Sequence, residues 1–424
     1  MANVFNHIHG LGISIHWHGV SFVELDGVLQ DGADRITQSA IPGGGRHTYR
    51  FTPSHSGTFF YHAHNVGYFD GLYGALIVEG PEDPAHDLEV VALISEWGVA
   101  VQTDLDAAFE SGKLKDGFVL TALENARSVL VNGKVSQTVD VRTGQKVLLR
   151  VINAAFVSNI GIAVAGNHPL QIIQADGYHV ERATFTGVFF GAFGPGQRYT
   201  FLLEANEPSG TFEIKFTSFL NFVRVATAIG PAPASLFLQY PNPAPLEDIF
   251  YEAFGTTPPL APAPGPGILV TERALFGDTT SPQYGKVPKT ADLIVTFDTG
   301  LNFGNGAWHL AANTPFDLAP GAPFIAGNRK GAVSFNIPLG AVVDVITISA
   351  VIAHPFHTHM FSGFQIAHGV GAFPGYDAAI ATANLVNPVR RDTYITDVEN
   401  GIGWSITRII ADRKGPAFCH CHIM

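Results

Sequence analysis

The chain has 424 residues, 46% of them hydrophobic and only 14% charged, which excludes a disordered polypeptide and allows large buried cores. Its formal net charge of −12 argues against nucleic acid as a partner, because polyanions bind through a positive field. No run of about 18 apolar residues occurs, so no membrane span is expected, and no basic flank followed by an apolar stretch marks a signal peptide at the N-terminus.

Gly (46) and Pro (27) are abundant and Phe (32) far outnumbers Met (3), a composition that favours turn-rich β structure. In chain order, Thr58-Phe59-Phe60-Tyr61 reads as a strand running into His62 and His64. Residues 103–115 form the one plausible short helix. Lys146–Asn153 and Arg198–Glu204 read as strands, as do 332–337 and 342–349. Asn132-Gly133 and Gly194-Pro195-Gly196 are turn signals between them. Many short strands with frequent turns predict an all-β protein of β-sandwiches. Gly80-Pro81-Glu82-Asp83-Pro84 marks one boundary, and ten prolines within 231–266 mark a stiff linker. The expected units are therefore 1–80, 85–230 and 267–424.

Histidine carries the functional signal. Roughly one His-x-His pair is expected by chance at this composition. Five occur, at His7/His9, His16/His18, His62/His64, His357/His359 and His420/His422. Between residues 90 and 305 only His168 and His179 appear, so the two ends of the chain are expected to meet at one site. In a strand, residues i and i+2 share a face, so each pair presents two imidazoles side by side. Neutral imidazole suits copper, zinc, iron and nickel. Four pairs supply eight imidazoles, too many for one ion and suited to a cluster of two or three.

The last pair adds sulfur. In Phe418-Cys419-His420-Cys421-His422, alternation places His420 and His422 on one face and Cys421 on the other. The two cysteines are too close in sequence for an ordinary structural disulfide. A Cys421 thiolate would hold a further metal behind the imidazoles, joined to them by a few covalent bonds. His354 precedes His357 and His359 across Pro355, which is expected to break strand regularity and turn His354 toward Cys421. A His/Cys set is the donor type of blue-copper electron-transfer centres.

With these motifs in view, the sequence resembles a multicopper oxidase of the laccase-like group. The resemblance rests on His16-Trp17-His18-Gly19, Tyr61-His62-Ala63-His64, His354-Pro355-Phe356-His357-Thr358-His359 and His420-Cys421-His422-Ile423, in family order over nearly the whole chain. Asp31-Gly32, Asp70-Gly71-Leu72 and Asn387-Pro388-Val389-Arg390-Arg391-Asp392 add to it. It implies three cupredoxin-like Greek-key sandwiches, the first incomplete, and four copper ions. His16 and His357 would hold the type 2 copper. His18, His62, His64, His359, His420 and His422 would hold the type 3 pair. His354 and Cys421 would be type 1 ligands, and Asp31 matches an acidic residue thought to assist proton delivery.

The implied activity is one-electron oxidation of a small phenolic or similar reductant, coupled to four-electron reduction of O2 to water. Relatives are mostly secreted or periplasmic, so an extracellular or periplasmic location is expected. The family motif continues with a second type 1 His and an axial residue, whereas this sequence reaches Met424 first. A chain trimmed at both ends is therefore expected, with Met424 a poor substitute ligand. Cys419 is expected to be a packed thiol, His7 and His9 loop residues, and the isolated histidines structural or exposed. A ferroxidase-type metal oxidase and a non-catalytic copper-binding protein are the alternatives. A zinc hydrolase, which needs an open zinc and a general base, fits the histidine pairs poorly.

Overall fold

The computed structural model describes residues 1–23, 27–65, 67–98, 126–185, 189–219, 232–241, 275–299, 301–302, 307–310, 314–315, 335–350, 353–396 and 402–423. These residues are almost wholly β, and the one α-helix among them is the single turn Tyr376–Ile380. The helix expected at 103–115, the proline-rich stretch beyond 241 and Met424 all lie outside them.

The first unit builds a three-stranded antiparallel sheet in the order Ile15–His18, Gly57–Ala63, Tyr73–Val78, beside a two-stranded sheet of Ala2–Phe5 and Arg46–Tyr49. All four residues of Ile15–His18 are buried because both faces of the strand are covered. Ile15 and Trp17 pack with Phe22, Tyr49 and Phe59 in a local core. His16 and His18 occupy the opposite face, as the two-residue period requires.

The second unit is a complete sandwich of a five-stranded and a seven-stranded sheet. Lys146–Asn153 pairs antiparallel with Arg198–Glu204 and parallel with Leu88–Gly98. Its Val147, Leu149 and Val151 enter the main core, while Ile152 packs with Phe60 of the first unit, which is why the strand reads as a continuous apolar run rather than an alternating one. Residues 234–239, expected to open the linker, are instead a strand of this unit, paired with Thr211–Phe219 and Ser136–Asp140. Pro233 precedes that strand, where a missing N–H costs no ladder bond. The buried alternation of Ala234, Leu236 and Leu238 was the sequence signal.

The third unit has a five-stranded sheet in the order Leu293–Thr299, Val342–Ala350, Ile402–Ile410, Gly363–Val370, Arg390–Arg391. A three-stranded sheet of Thr393–Thr396, His354–Thr358 and Cys419–Cys421 faces the first unit. The strand expected at 332–337 is not formed where it is described, since 335–337 are exposed and unpaired. Val342–Ala350 already has Leu293–Thr299 and Ile402–Ile410 on its two sides, so its ladder has no edge left for them.

Candidate metal centre

Two strands from the first unit and two from the third bring the four histidine pairs together. Register matters twice. His16 lies directly across from His62 on the Gly57–Ala63 strand, and His357 lies directly across from His420 on Cys419–Cys421. His64 and His359 sit just past their strand ends, where His64 N donates to Ser14 O and His359 N donates to Phe418 O. The eight imidazoles then meet face to face. His16 stacks on His359 with ring centroids 3.9 Å apart, and His18 stacks on His357 at 3.7 Å.

Ring-nitrogen distances connect seven of the eight. His16 Nε2 is 3.2 Å from His357 Nε2. His359 Nε2 is 3.1 Å from His64 Nε2 and 3.0 Å from His420 Nε2. His422 Nε2 is 3.1 Å from His18 Nδ1, and the His62 ring lies 5.2 Å from that of His422. His62 thus lies between His422 and His16, whose ring centroid is 5.4 Å from its own.

The opposite ring nitrogens fix the tautomers. Nδ1 of His16 donates to Asp31 O at 2.8 Å, Nδ1 of His62 to Ala63 O at 2.8 Å, and Nδ1 of His420 to Cys421 O at 2.9 Å. Nδ1 of His357 donates to Asp392 O at 3.1 Å, and Nδ1 of His359 to Asp31 Oδ2 at 2.9 Å. The Nε2 atoms of these five rings therefore carry lone pairs, and most of them point at one another with no proton between. The buried Nε2 of His62 and Nδ1 of His422 have no hydrogen-bond partner at all. Lone pairs converging in a buried space repel unless a cation lies among them. Imidazole nitrogens sharing one first-row ion at about 2.0–2.1 Å stand roughly 3.3 Å apart in a tetrahedral arrangement, close to the separations found here. The donor set fits a cluster of imidazole-binding metals, and its second nitrogens are held by oxygens in the usual manner of metal-bound histidines.

Electrostatics agrees. Burial, and then the neighbouring imidazoles, lower the pKa of His18, His62, His64, His359 and His422 well below the ordinary value. Burial brings His420 down to about 3. The rings are thus neutral at pH 7, the form that ligates. Burial by itself would raise the Asp31 carboxyl, but His359 and His16 hold it far below the usual range. Asp31 follows a 3₁₀ turn, Gly27–Gln30, and reaches the cluster because Gly32 takes φ +79° with its backbone against Ile15 O, where any Cβ would collide.

On the other face of the same strands, His354 Nδ1 is 3.0 Å from Cys421 Sγ. Here the expectation needs correcting. Pro355 does not break the strand, which pairs through it with Ile395. The odd spacing alone turns His354 away from His357, because alternate residues of a regular strand face opposite ways. Burial pushes the Cys421 thiol up to about 12. Cys419 sits on that face as well, receives a weak bond from Thr358 Oγ1 at 3.8 Å, and is pushed up to about 11 by burial. His7 and His9 are exposed in the loop after Ala2–Phe5, away from the cluster.

Two buried residues at the cluster escaped the sequence reading. Asp392 Oδ1 lies 3.3 Å from His18 Nε2 and 3.5 Å from His357 Nδ1. Thr393 Oγ1 lies 2.9 Å from His18 Nε2 and 3.1 Å from His357 Nδ1. The Arg390-Arg391-Asp392 run was visible as a motif, but nothing local says what it touches.

Three β-sandwich units with a closed imidazole cluster and an adjacent His/Cys pair define a metalloprotein of the cupredoxin class. Residues 1–83, 89–242 and 311–424 match the multicopper oxidase family. The chain is 28% identical to putative laccase-11 of Oryza sativa subsp. japonica over 100% of its own length and 87% of the relative's. It is also 28% identical to laccase-1 of Fomitopsis schrenkii, covering 99% and 75%. Among solved structures, Fet3p, described as a multicopper oxidase that functions in iron import, superposes with a TM-score of 0.77 at 21% identity, covering 99% of this chain and 79% of that one. The laccase from Botrytis aclada gives 0.69 at 23%, covering 99% and 77%. The chain belongs to the multicopper oxidase family.

Proposed function

We propose that the protein is a laccase-like copper-dependent oxidase that takes electrons from a small phenolic or similar donor and uses O2 as acceptor. The observation that carries this reading is the convergence of eight imidazoles, four from each end of the chain, on one closed site. His16 and His357 would hold the type 2 copper. His18, His62 and His422 would hold one type 3 copper, and His64, His359 and His420 the other. His354 and Cys421 would contribute to the type 1 copper. Copper changes charge by single electrons, so a four-copper set couples four one-electron donor oxidations to reduction of O2 to two waters.

The chain's own residues prepare that chemistry. Asp31 accepts from His359 while the Asp31 carbonyl accepts from His16, which aims two ring nitrogens from different sets into the same space. The Asp31 carboxylate stays ionised at neutral pH and so remains the hydrogen-bond acceptor of His359 beside the cluster. Phe60 and Tyr68, both buried, stack on His62 and keep bulk water from that side. Cys421 lies between His420 and His422, so the backbone itself joins the two donor sets. Family membership and the laccase relatives support an extracellular or periplasmic location. No helix among the described residues is long and apolar enough to cross a membrane.

A second reading, copper binding without turnover, starts from the Cys421 face, where His354 and Cys421 are the donors in contact and the thiol is still protonated. Copper content together with O2 uptake separates the two. About four coppers per chain, an intense blue absorption and phenol-dependent O2 uptake are expected. Three or fewer coppers with neither colour nor uptake would leave only the second reading. Faster uptake with Fe(II) than with a phenol would reassign the donor to a metal ion.

A further inference from the structure

The second unit supplies no imidazole, yet it reaches the cluster. Gly196 takes φ +86°, and a Cβ there would lie 2.9 Å from His18 Cε1 and 3.0 Å from His422 Cδ2. Next to it, the fully buried Arg198 forks onto Asp392 with Nη1–Oδ1 2.6 Å and Nη2–Oδ2 2.7 Å. Arg198 Nε also donates to Thr58 O of the first unit at 3.0 Å, so one guanidinium ties all three units together. The second unit holds the backbone of Thr393 at both ends. Asp176 Oδ2 accepts from Thr393 N at 3.2 Å, and Gln197 Nε2 donates to Thr393 O at 3.0 Å.

These bonds decide which nitrogen of His18 faces inward. Thr393 Oγ1 donates its one proton to Asp392 Oδ1 at 2.8 Å. A hydroxyl has a single proton, so toward His18 the same oxygen accepts. His18 Nε2, 2.9 Å away, must then be the donor, which leaves the lone pair on Nδ1, the atom 3.1 Å from His422 Nε2. His18 is thus reversed relative to His16, His62, His357, His359 and His420, whose Nδ1 atoms donate. Arg198 keeps the relay pointing this way, because a carboxylate paired with a guanidinium accepts and has no proton to give.

We propose that the second unit sets the ligating nitrogen of His18 through an Arg198–Asp392–Thr393 relay, which makes these three positioning residues of the cluster. The proposal rests on the cluster being a metal site, but its test does not depend on oxidase activity. In the metal-free protein labelled with ¹⁵N-histidine, the His18 ring, assigned by its loss in His18→Gln, is expected as the Nε2–H tautomer, with His62 and His420 as Nδ1–H. A His18 ring found as Nδ1–H overturns the proposal without any variant that perturbs the fold. In Thr393→Val, Cu(II) titration of the metal-free protein should show the ion held by His18 weakened about 10–100-fold, the usual cost of losing an outer partner, with Thr393→Ser restoring it. Unchanged affinity for every ion in Thr393→Val would also overturn it. Loss of all bound copper in the parent protein, with His18 still Nε2–H, would instead count against the metal-site reading alone.

Discussion

The two faces of the paired strands His354–Thr358 and Cys419–Cys421 differ more than their shared backbone suggests. One face carries His357, His359 and His420, is closed by imidazoles of the first unit, and is ready for metal, since its rings are already neutral and aimed. The other carries His354 and Cys421, and its thiol must surrender a proton held at about 12 before it can ligate. Two donor sets one residue apart are therefore prepared in different ways: one by burial that lowers basicity, the other by burial that raises it. The same desolvation favours the neutral form in both cases. For imidazole the neutral form is the ligand, and for thiol it is not.

Acid should break this contrast most strongly. The lowered imidazoles bind protons in the unfolded chain below pH 6.5 but not in the folded one, so stability rises with pH and falls as pH drops. Each ring lowered far enough costs the metal-free fold on the order of 1.4 kcal/mol by pH 5.5, and His18, His62, His64, His359, His420 and His422 all contribute. Asp31, whose pKa is depressed, adds to the loss only as pH falls below the ordinary carboxylate range. Urea melts of the metal-free protein at pH 7.5 and 5.5 should show a large drop, and bound copper should suppress it. Equal midpoints at the two pH values would contradict the neutral, closed cluster.

A smaller effect is expected when the imidazole face loses one outer partner. Asp31→Asn leaves the backbone acceptor of His16 in place but removes the carboxylate that receives His359. Copper affinity at the cluster should fall about 10–100-fold, with absorption of the Cys421 site unaltered. Equal weakening of both sites in a copper titration would mean that Asp31 serves the fold as a whole.

The mildest test addresses the thiol face. Cys419→Ala should cost about 1 kcal/mol or less, the loss of a small half-buried side chain with a weak hydrogen bond. Copper content should not change. A blue absorption lost in Cys419→Ala, read beside Cys421→Ser, would make Cys419 a ligand and remove the distinction between the two sulfurs.

Much of the site was legible because it obeys local rules. A His-x-His pair in a strand shares a face wherever that strand goes, so the four pairs and the sidedness of Cys421 followed from spacing. The Lys146–Asn153 and Arg198–Glu204 strands were equally plain, since a run of β-branched and aliphatic residues covered on both faces leaves a continuous apolar signature. Residues 234–239 and 335–337 were misread because proline content and apolar alternation are local, while an available sheet edge is not.

The sequence by itself determined which imidazoles form pairs and which sulfur lies behind them, because these depend on the two-residue period of a strand, and its histidine-poor middle pointed to a site shared by the two ends. Only the tertiary structure decided how the eight rings neighbour one another, which nitrogen of His16, His18, His62, His357, His359 and His420 turns inward, and that Arg198, Asp392 and Thr393 take part. Those outcomes come from contacts among three separately folded units. A hydrogen-bond partner some 200 to 400 residues away leaves no mark on the local pattern that a sequence displays.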